Sequence, residues 1–164
     1  MTPNELKKFP IAGKGNFLED FTPGRTFDHA RGRTMTRADN VLYGALTVQL
    51  NPLYLDVTAA QALGHAEIPI HPYLVFATVL GLSVEDLSEK GGAFLGVDDL
   101  QFERPVYPGM TLRARSVVKA QRVSDSRPGF GIVTWMTEGH DASGERVVTF
   151  TRTNLVYMRE PVNV

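Results

Sequence analysis

The stretch Ile70-His71-Pro72-Tyr73-Leu74-Val75-Phe76-Ala77-Thr78-Val79-Leu80-Gly81-Leu82 constrains this chain more than any other. It is apolar on nearly every side, and a helix that is hydrophobic all round has to be enclosed by other elements. Pro72 suits the first helical position. Ser83, Glu85, Asp86, Ser88, Glu89 and Lys90 return the chain to water before Gly91-Gly92 ends the segment. About 13 residues are too few to cross a bilayer, which takes roughly 20. The stretch therefore predicts a buried core helix, and the rest of the sequence has to supply its wrapping.

The wrapping is legible after Gly92, where the hydrophobic period changes from 3.6 to 2. Residues 93–106 read as a strand, Tyr107-Pro108-Gly109 as a turn, and 110–123 as a second strand. In that strand Leu112, Ala114, Ser116, Val118 and Ala120 face away from Arg113, Arg115, Val117, Lys119 and Gln121. Arg127-Pro128-Gly129 and Asp141-Ala142-Ser143-Gly144 punctuate two more strands, around Ile132 to Thr137 and from Arg146 to Met158.

Before the apolar stretch, Arg25-Thr26-Phe27-Asp28-His29 alternates like a short edge strand, and Arg31-Gly32-Arg33-Thr34 leads toward a helix. Thr36 and Asp39 form a capping-box pattern ahead of Val41, Leu42, Ala45 and Leu46, which share one helical face. Asp56 or Thr58 can cap a second short helix that Gly64 closes. Helices followed by hairpin-linked strands predict an α+β fold, an antiparallel sheet curled round one apolar helix, which is the hotdog arrangement.

Composition removes several functions. The 164 residues suffice for one domain that buries roughly 70% of its unfolded surface, so no metal or disulfide is needed to hold it. Residues 1–16 read as a loose tail and 17–164 as the domain. Without cysteine there is no thiolate catalysis and no cysteine-ligated zinc. Seventeen basic and eighteen acidic residues, never blocked by sign, argue against nucleic acid or an anionic membrane as partner. MTPNELKKFP lacks an apolar leader pattern, and the expected location is cytoplasmic. No His/Asp/Glu spacing suggests a metal.

Five segments carry a family resemblance. They are Arg33-Thr34-Met35-Thr36-Arg37-Ala38-Asp39-Asn40, Asn51-Pro52-Leu53-Tyr54-Leu55-Asp56, Gly81-Leu82-Ser83-Val84, Arg104-Pro105-Val106-Tyr107-Pro108-Gly109-Met110-Thr111-Leu112 and Ser126-Arg127-Pro128-Gly129-Phe130-Gly131-Ile132-Val133-Thr134. In order and spacing, from Phe17 to Arg159, the chain resembles the MaoC-like dehydratases, especially the branch of mesaconyl-CoA (β-methylmalyl-CoA) hydratases. The resemblance implies a hotdog domain working as a homodimer or larger assembly. It also implies addition of water to a 2-enoyl thioester of coenzyme A or an acyl carrier, or its removal from the 3-hydroxy form. No cofactor is implied beyond the coenzyme A that the substrate carries.

Such a reaction needs a group to deprotonate water, a proton for C2, and donors for the enolate-like thioester oxygen. In the family the pattern Asp-x-Asn-Pro-x-His holds the water, and a glycine after a later histidine offers its amide. Here Gln49 replaces the Asp, Tyr54 replaces the His, and Pro72 follows His71 where the glycine would stand. Glutamine is no base, tyrosine with an ordinary pKa of about 10 is protonated at neutral pH, and proline has no N–H.

The resemblance thus nominates Tyr54, Gln49, His71 and Asp39 for catalysis, and Asn51, Pro72 and Tyr73 for substrate binding. Plainer roles stand beside these: a half-buried aromatic for Tyr54, a turn residue for Asn51, a helix cap for Asp39, and a packed histidine kept neutral by the helix dipole for His71. The basic residues Arg113, Arg115, Lys119, Arg122 and Arg127 read as a solvated face. A thioesterase on the same fold is a weaker option, since its catalysis also usually wants a carboxylate in the pocket, and two stronger functions remain open at this point. One is a MaoC-like hydratase. The other is an acyl-thioester-binding subunit that has lost the dyad and pairs with a second, catalytic hotdog chain.

Overall fold

A computed structural model describes residues 15–159. Most of the expected tail, 1–14, lies outside the described residues, while the Asn16 side-chain amide donates to the Asp86 carbonyl at 2.8 Å. Five strands form one antiparallel sheet in the order β1-β3-β4-β5-β2. They are β1 (Thr26–Thr34), β2 (Phe94–Phe102), β3 (Thr111–Val123), β4 (Phe130–His140) and β5 (Arg146–Tyr157). Three helices precede β2: α1 (Arg37–Thr47), α2 (Val57–Ala62) and α3 (Pro72–Leu87). This is the α+β hotdog architecture expected from the change of period.

The local signals explain the helix boundaries. Thr36 accepts from the Asp39 amide while Asp39 accepts from the Thr36 amide, a reciprocal cap that starts α1. Asp56 accepts from the amides of Thr58 and Ala59 to start α2, and Gly64 follows at φ +86°. Pro72 opens α3 with His71 as its cap.

Two strand expectations need correction. β1 runs through Arg31-Gly32-Arg33-Thr34, with a register shift between Asp28 and Gly32, so the expected lead-in is itself strand. Strands β2 and β3 are not a hairpin, because β2 pairs with β5 at the far edge. The connection, 103–110, instead finds backbone partners near the helix starts: Ile70 N–H donates to Val106 O at 2.7 Å, and Met35 and Met110 are joined at 2.9 Å. That detour places residues 102–106 beside the start of α3.

Val75, Val79, Ser83 and Leu87 recur every four residues, and this face of α3 is buried on the sheet. Gly139 makes the contact close, since a Cβ there would lie 2.6 Å from the Val79 side chain. The opposite stripe, Tyr73, Ala77 and Gly81, is exposed. The sheet of one chain therefore covers only one side of the helix that was expected to be fully enclosed. The apolar face of α1 is likewise open: Val41 and Leu42 are each 60% exposed and Leu46 75%. Edge strand β2 leaves Phe94, Leu95 and Phe102 partly bare. Among the described residues no helix is long and apolar enough to cross a membrane, and no cluster of three acidic or histidine ligands could hold a metal. Arg113, Arg115, Lys119, Arg122 and Arg127 are exposed.

Candidate functional site

The start of α3 is fixed by one residue. Asn40, buried in α1, donates through its side-chain amide to Pro69 O at 2.7 Å and to Tyr54 O at 3.2 Å. Its side-chain oxygen accepts from the His71 amide at 2.8 Å. A single amide thus joins α1, the 3-10 turn Pro52–Tyr54 and the segment entering α3. The result is an aromatic cluster round His71, with ring centroids 4.4 Å away at Tyr54, 5.0 Å at Tyr43 and 5.8 Å at Tyr73. Tyr54 and Pro72 line a cleft of about 330 Å³ whose other walls include His65, Val75 and Phe102.

Of the nominated residues, Tyr54, Gln49, His71, Pro72 and Tyr73 come together here. Gln49 reaches the cluster because α1 ends on Val48 at φ +58°, turning the chain back so that the Gln49 amide donates to Gly44 O. Its side chain then donates to the Tyr43 hydroxyl at 3.3 Å. Asn51 spends its side-chain oxygen on the Leu53 amide at 3.0 Å, as the turn reading of Asn-Pro requires.

Asp39 is directed elsewhere. One carboxylate oxygen takes Arg33 at 2.7 Å, the other takes the Thr36 amide and hydroxyl at 2.8 Å each, and the residue borders a separate hollow with Arg31, Met35 and Leu74. Burial works to raise its pKa, yet the Thr36 and Arg33 bonds win and hold the carboxyl below its usual range. Asp39 and His71 do not pair.

The chemistry of the cluster follows from its tautomers. Burial, more than any charge, pushes the His71 pKa down and the Tyr54 pKa up, so both are neutral near pH 7. The Tyr73 amide donates to His71 Nδ1 at 3.2 Å. A nitrogen that accepts carries no proton, so neutral His71 bears its proton on Nε2. Among the described residues neither Nε2 nor the Tyr54 hydroxyl has a hydrogen-bond partner. The site therefore presents two unspent donors, while the other ionisable groups lining the cleft are engaged, Glu103 by Arg146 and His65 by the Tyr107 hydroxyl.

Tyr43 and Asn40 were not singled out from sequence. Their signal was an asparagine one turn inside a helix, a poor helix former there, with a tyrosine three residues on and hence on the same face. His65, whose Nδ1 lies 2.9 Å from the Tyr107 hydroxyl, also lines the cleft.

Comparison with known proteins bears on the family and the fold. The family model described as mesaconyl-CoA hydratase matches residues 3–164. Over 149 residues the chain is 43% identical to a mesaconyl-CoA hydratase of Haloarcula hispanica, covering 90% of this chain and 42% of that protein. The solved structure of a MaoC domain protein from Chloroflexus aurantiacus superposes with a TM-score of 0.87 at 35% identity, covering 95% of this chain and 44% of that one. A Mycobacterium tuberculosis protein with a double hotdog fold shares the architecture at TM-score 0.80 and 23% identity, covering 90% of this chain and 47% of that one. The chain spans less than half the length of these relatives. By the extent of these matches, the chain belongs to the mesaconyl-CoA hydratase family and carries its MaoC-like hotdog fold.

Proposed function

We propose that the protein acts in a hydratase/dehydratase that adds water to a 2-enoyl-CoA thioester or removes it from the 3-hydroxyacyl form. The observation that carries this is the donor pair, the Tyr54 hydroxyl and the proton that the Tyr73 amide holds on His71 Nε2. As water adds to C3, negative charge develops on the thioester oxygen, and donors fixed in a partly dry cleft stabilise that charge most. They compensate for Pro72, which lacks the amide that a glycine would offer. The coenzyme or acyl carrier arrives with the substrate, and no resident cofactor is needed. A cytoplasmic location belongs to the same proposal.

The donor pair cannot take the proton from water, and neither can Gln49. Asp39 is engaged by Arg33 and Thr36, Glu103 by Arg146, and His65 by Tyr107. We infer that the base comes from a second hotdog unit on a distinct chain. Three observations favour such a unit: the bare stripe of α3, the apolar face of α1, and relatives more than twice as long as this chain. In the limiting case the chain only binds and polarises the thioester, and its partner performs all proton transfer.

The test is to mix pure protein with crotonyl-CoA and mesaconyl-CoA, measuring binding by calorimetry and hydration by loss of enoyl absorbance. The expected outcome is binding, with turnover only when a hotdog chain bearing Asp-x-Asn-Pro-x-His is added. Tyr54→Phe should lower the rate of the pair by about 10²-fold, the usual cost of one oxyanion donor. Failure to bind any enoyl thioester would refute the proposal. Turnover by this chain alone, at the 1–10³ s⁻¹ typical of enzymes, would refute the borrowed base.

A further inference from the structure

Away from the His71 cluster, a second cleft of about 500 Å³ opens between α3, from Phe76 onward, and strands β2 and β5. Its walls are largely apolar, with Phe76, Leu80, Val84 and Phe94 prominent, and its polar members are Ser88, Arg152 and Asn154. These two lie two residues apart on β5 and so point to the same face of the sheet. Arg152 is 1% exposed and Asn154 4%. Among the described residues Arg152 Nε, one of its terminal nitrogens and the Asn154 side-chain oxygen are buried without a hydrogen-bond partner. No carboxylate of the described residues is paired with Arg152.

An arginine in that position is unusual, because a buried charge is normally paired or it destabilises the fold. Burial lowers its pKa to about 10, so it stays cationic at neutral pH. Trp135, opposite Arg152 in the β4–β5 register, holds the guanidinium over its ring at 5.3 Å. The ring orients the planar fork without using any of its N–H groups. The arrangement is a built cationic site with spare donors, one spare acceptor, and greasy walls.

We propose that Arg152 and Asn154 form a binding site for the carboxylate of a short aliphatic acid, either free or as the far end of an acyl group. A carboxylate matches the guanidinium fork with two parallel N–H···O bonds. The Asn154 oxygen accepts from a hydroxyl or amide on the same ligand, and the apolar walls receive its carbons. In its acyl form the inference rests on the thioester reading above, and in its free-acid form it does not.

Trp135 is the only tryptophan in the chain, so its fluorescence reports on the site. The full-length protein is titrated with butyrate and with uncharged butyramide, and separately with mesaconyl-CoA and 2-methylcrotonyl-CoA, in which a methyl replaces the carboxylate. The expected result is at least a 10-fold preference for the charged member of one pair, abolished in Arg152→Met and reduced in Asn154→Ala. Preference within the acid pair alone marks a free carboxylate as the ligand. Preference within the thioester pair marks an acyl carboxylate. If neither thioester binds while butyrate does, the thioester reading fails and the carboxylate site stands. Equal binding within both pairs overturns the proposal, as does a preference that survives in Arg152→Met. Should Arg152→Met not fold, Arg152→Lys and Asn154→Ala decide, because an unchanged preference in both overturns the site equally.

Discussion

The two ends of α3 each hold a buried histidine, and the two could hardly be used more differently. His71, at the N-terminal end, has one ring nitrogen fixed by a backbone amide and the other unspent beside a cleft. His29, on β1 against the C-terminal end, has both nitrogens engaged. Nδ1 meets Asp86 at 2.6 Å and Nε2 meets the Ser116 hydroxyl at 2.9 Å, while Ser116 and Thr137 are 2.8 Å apart. Asp86, His29 and Ser116 have the contact order of a hydrolytic triad. Ser116 and Thr137, however, are both 0% exposed and, unlike Arg152, line neither cleft, so no substrate can reach the hydroxyl. A saturated network ties α3 to three strands, whereas a network with a donor left over can do chemistry. Hydrogen-bond saturation separates the two ends, and residue type does not.

The comparison breaks most sharply at His29. Replacing it with Ala opens a cavity and strands the buried Ser116–Thr137 pair from its link to Asp86. The expected loss is about 3 kcal/mol of unfolding free energy, measured by denaturant titration, within the range for large-to-small changes at buried, bonded positions. Thioester binding at the other end should survive in the fraction that stays folded. A His29→Ala protein as stable as wild type would mean that the network is not holding α3.

Asn40 sharpens the comparison from the other side, because it is both saturated and part of the candidate site. Asn40→Asp exchanges an amide that donates to two carbonyls for a carboxylate that repels them. We expect a loss of about 2 kcal/mol, the cost of leaving buried polar groups unmatched. Enoyl-CoA affinity should fall with it, since Tyr54 and His71 lose their common tether. If affinity holds while stability falls, the cluster is positioned by packing alone.

How far these regions could be read in advance depends on how local their causes are. The Thr36–Asp39 cap, Pro72 and the period-2 strands are set by neighbours in sequence, and all were legible. The order of the sheet was not. Tyr107-Pro108-Gly109 looks like any hairpin turn, and only the pairing of 103–110 with Ile70 and Met35 sends β2 to the far edge. Val41, Leu42 and Leu46 correctly marked a helix, but periodicity finds an apolar face without saying what covers it. Arg152 was invisible for the opposite reason: arginine on a strand reads as solvated until a tryptophan is placed beneath it. At the site, Tyr54 and His71 were drawn together from family spacing, while the tautomer of His71 depends on one amide geometry that no pattern encodes.

Asp39 offers a smaller test of the same lesson. Its carboxylate is saturated by Thr36 and Arg33, so Asp39→Asn should cost about 1 kcal/mol through the weakened cap of α1. Enoyl-CoA binding and the rate of the paired enzyme should be unchanged. A rate loss well beyond the change in folded fraction would return Asp39 to the catalytic set.

The smallest effect is in the pH dependence of stability, and it asks whether the two ends act independently. Burial lowers the pKa of His29, against the opposing pull of Asp86, and burial lowers that of His71 as well, both from 6.5. Between each lowered value and 6.5 the unfolded chain binds more protons than the folded one, so stability rises with pH across that window. The contribution is complete above pH 6.5 and is lost as the pH falls through the folded values. Denaturant midpoints taken from pH 7.5 down to 5 should therefore decline for the wild type and decline less for His29→Gln or His71→Gln. The rings sit near opposite ends of a helix that rises roughly 1.5 Å per residue, far enough apart for the two flattenings to add. A double variant no flatter than either single one would show that the saturated and the unspent histidine share one protonation event, and the two ends would then have to be treated as a coupled unit.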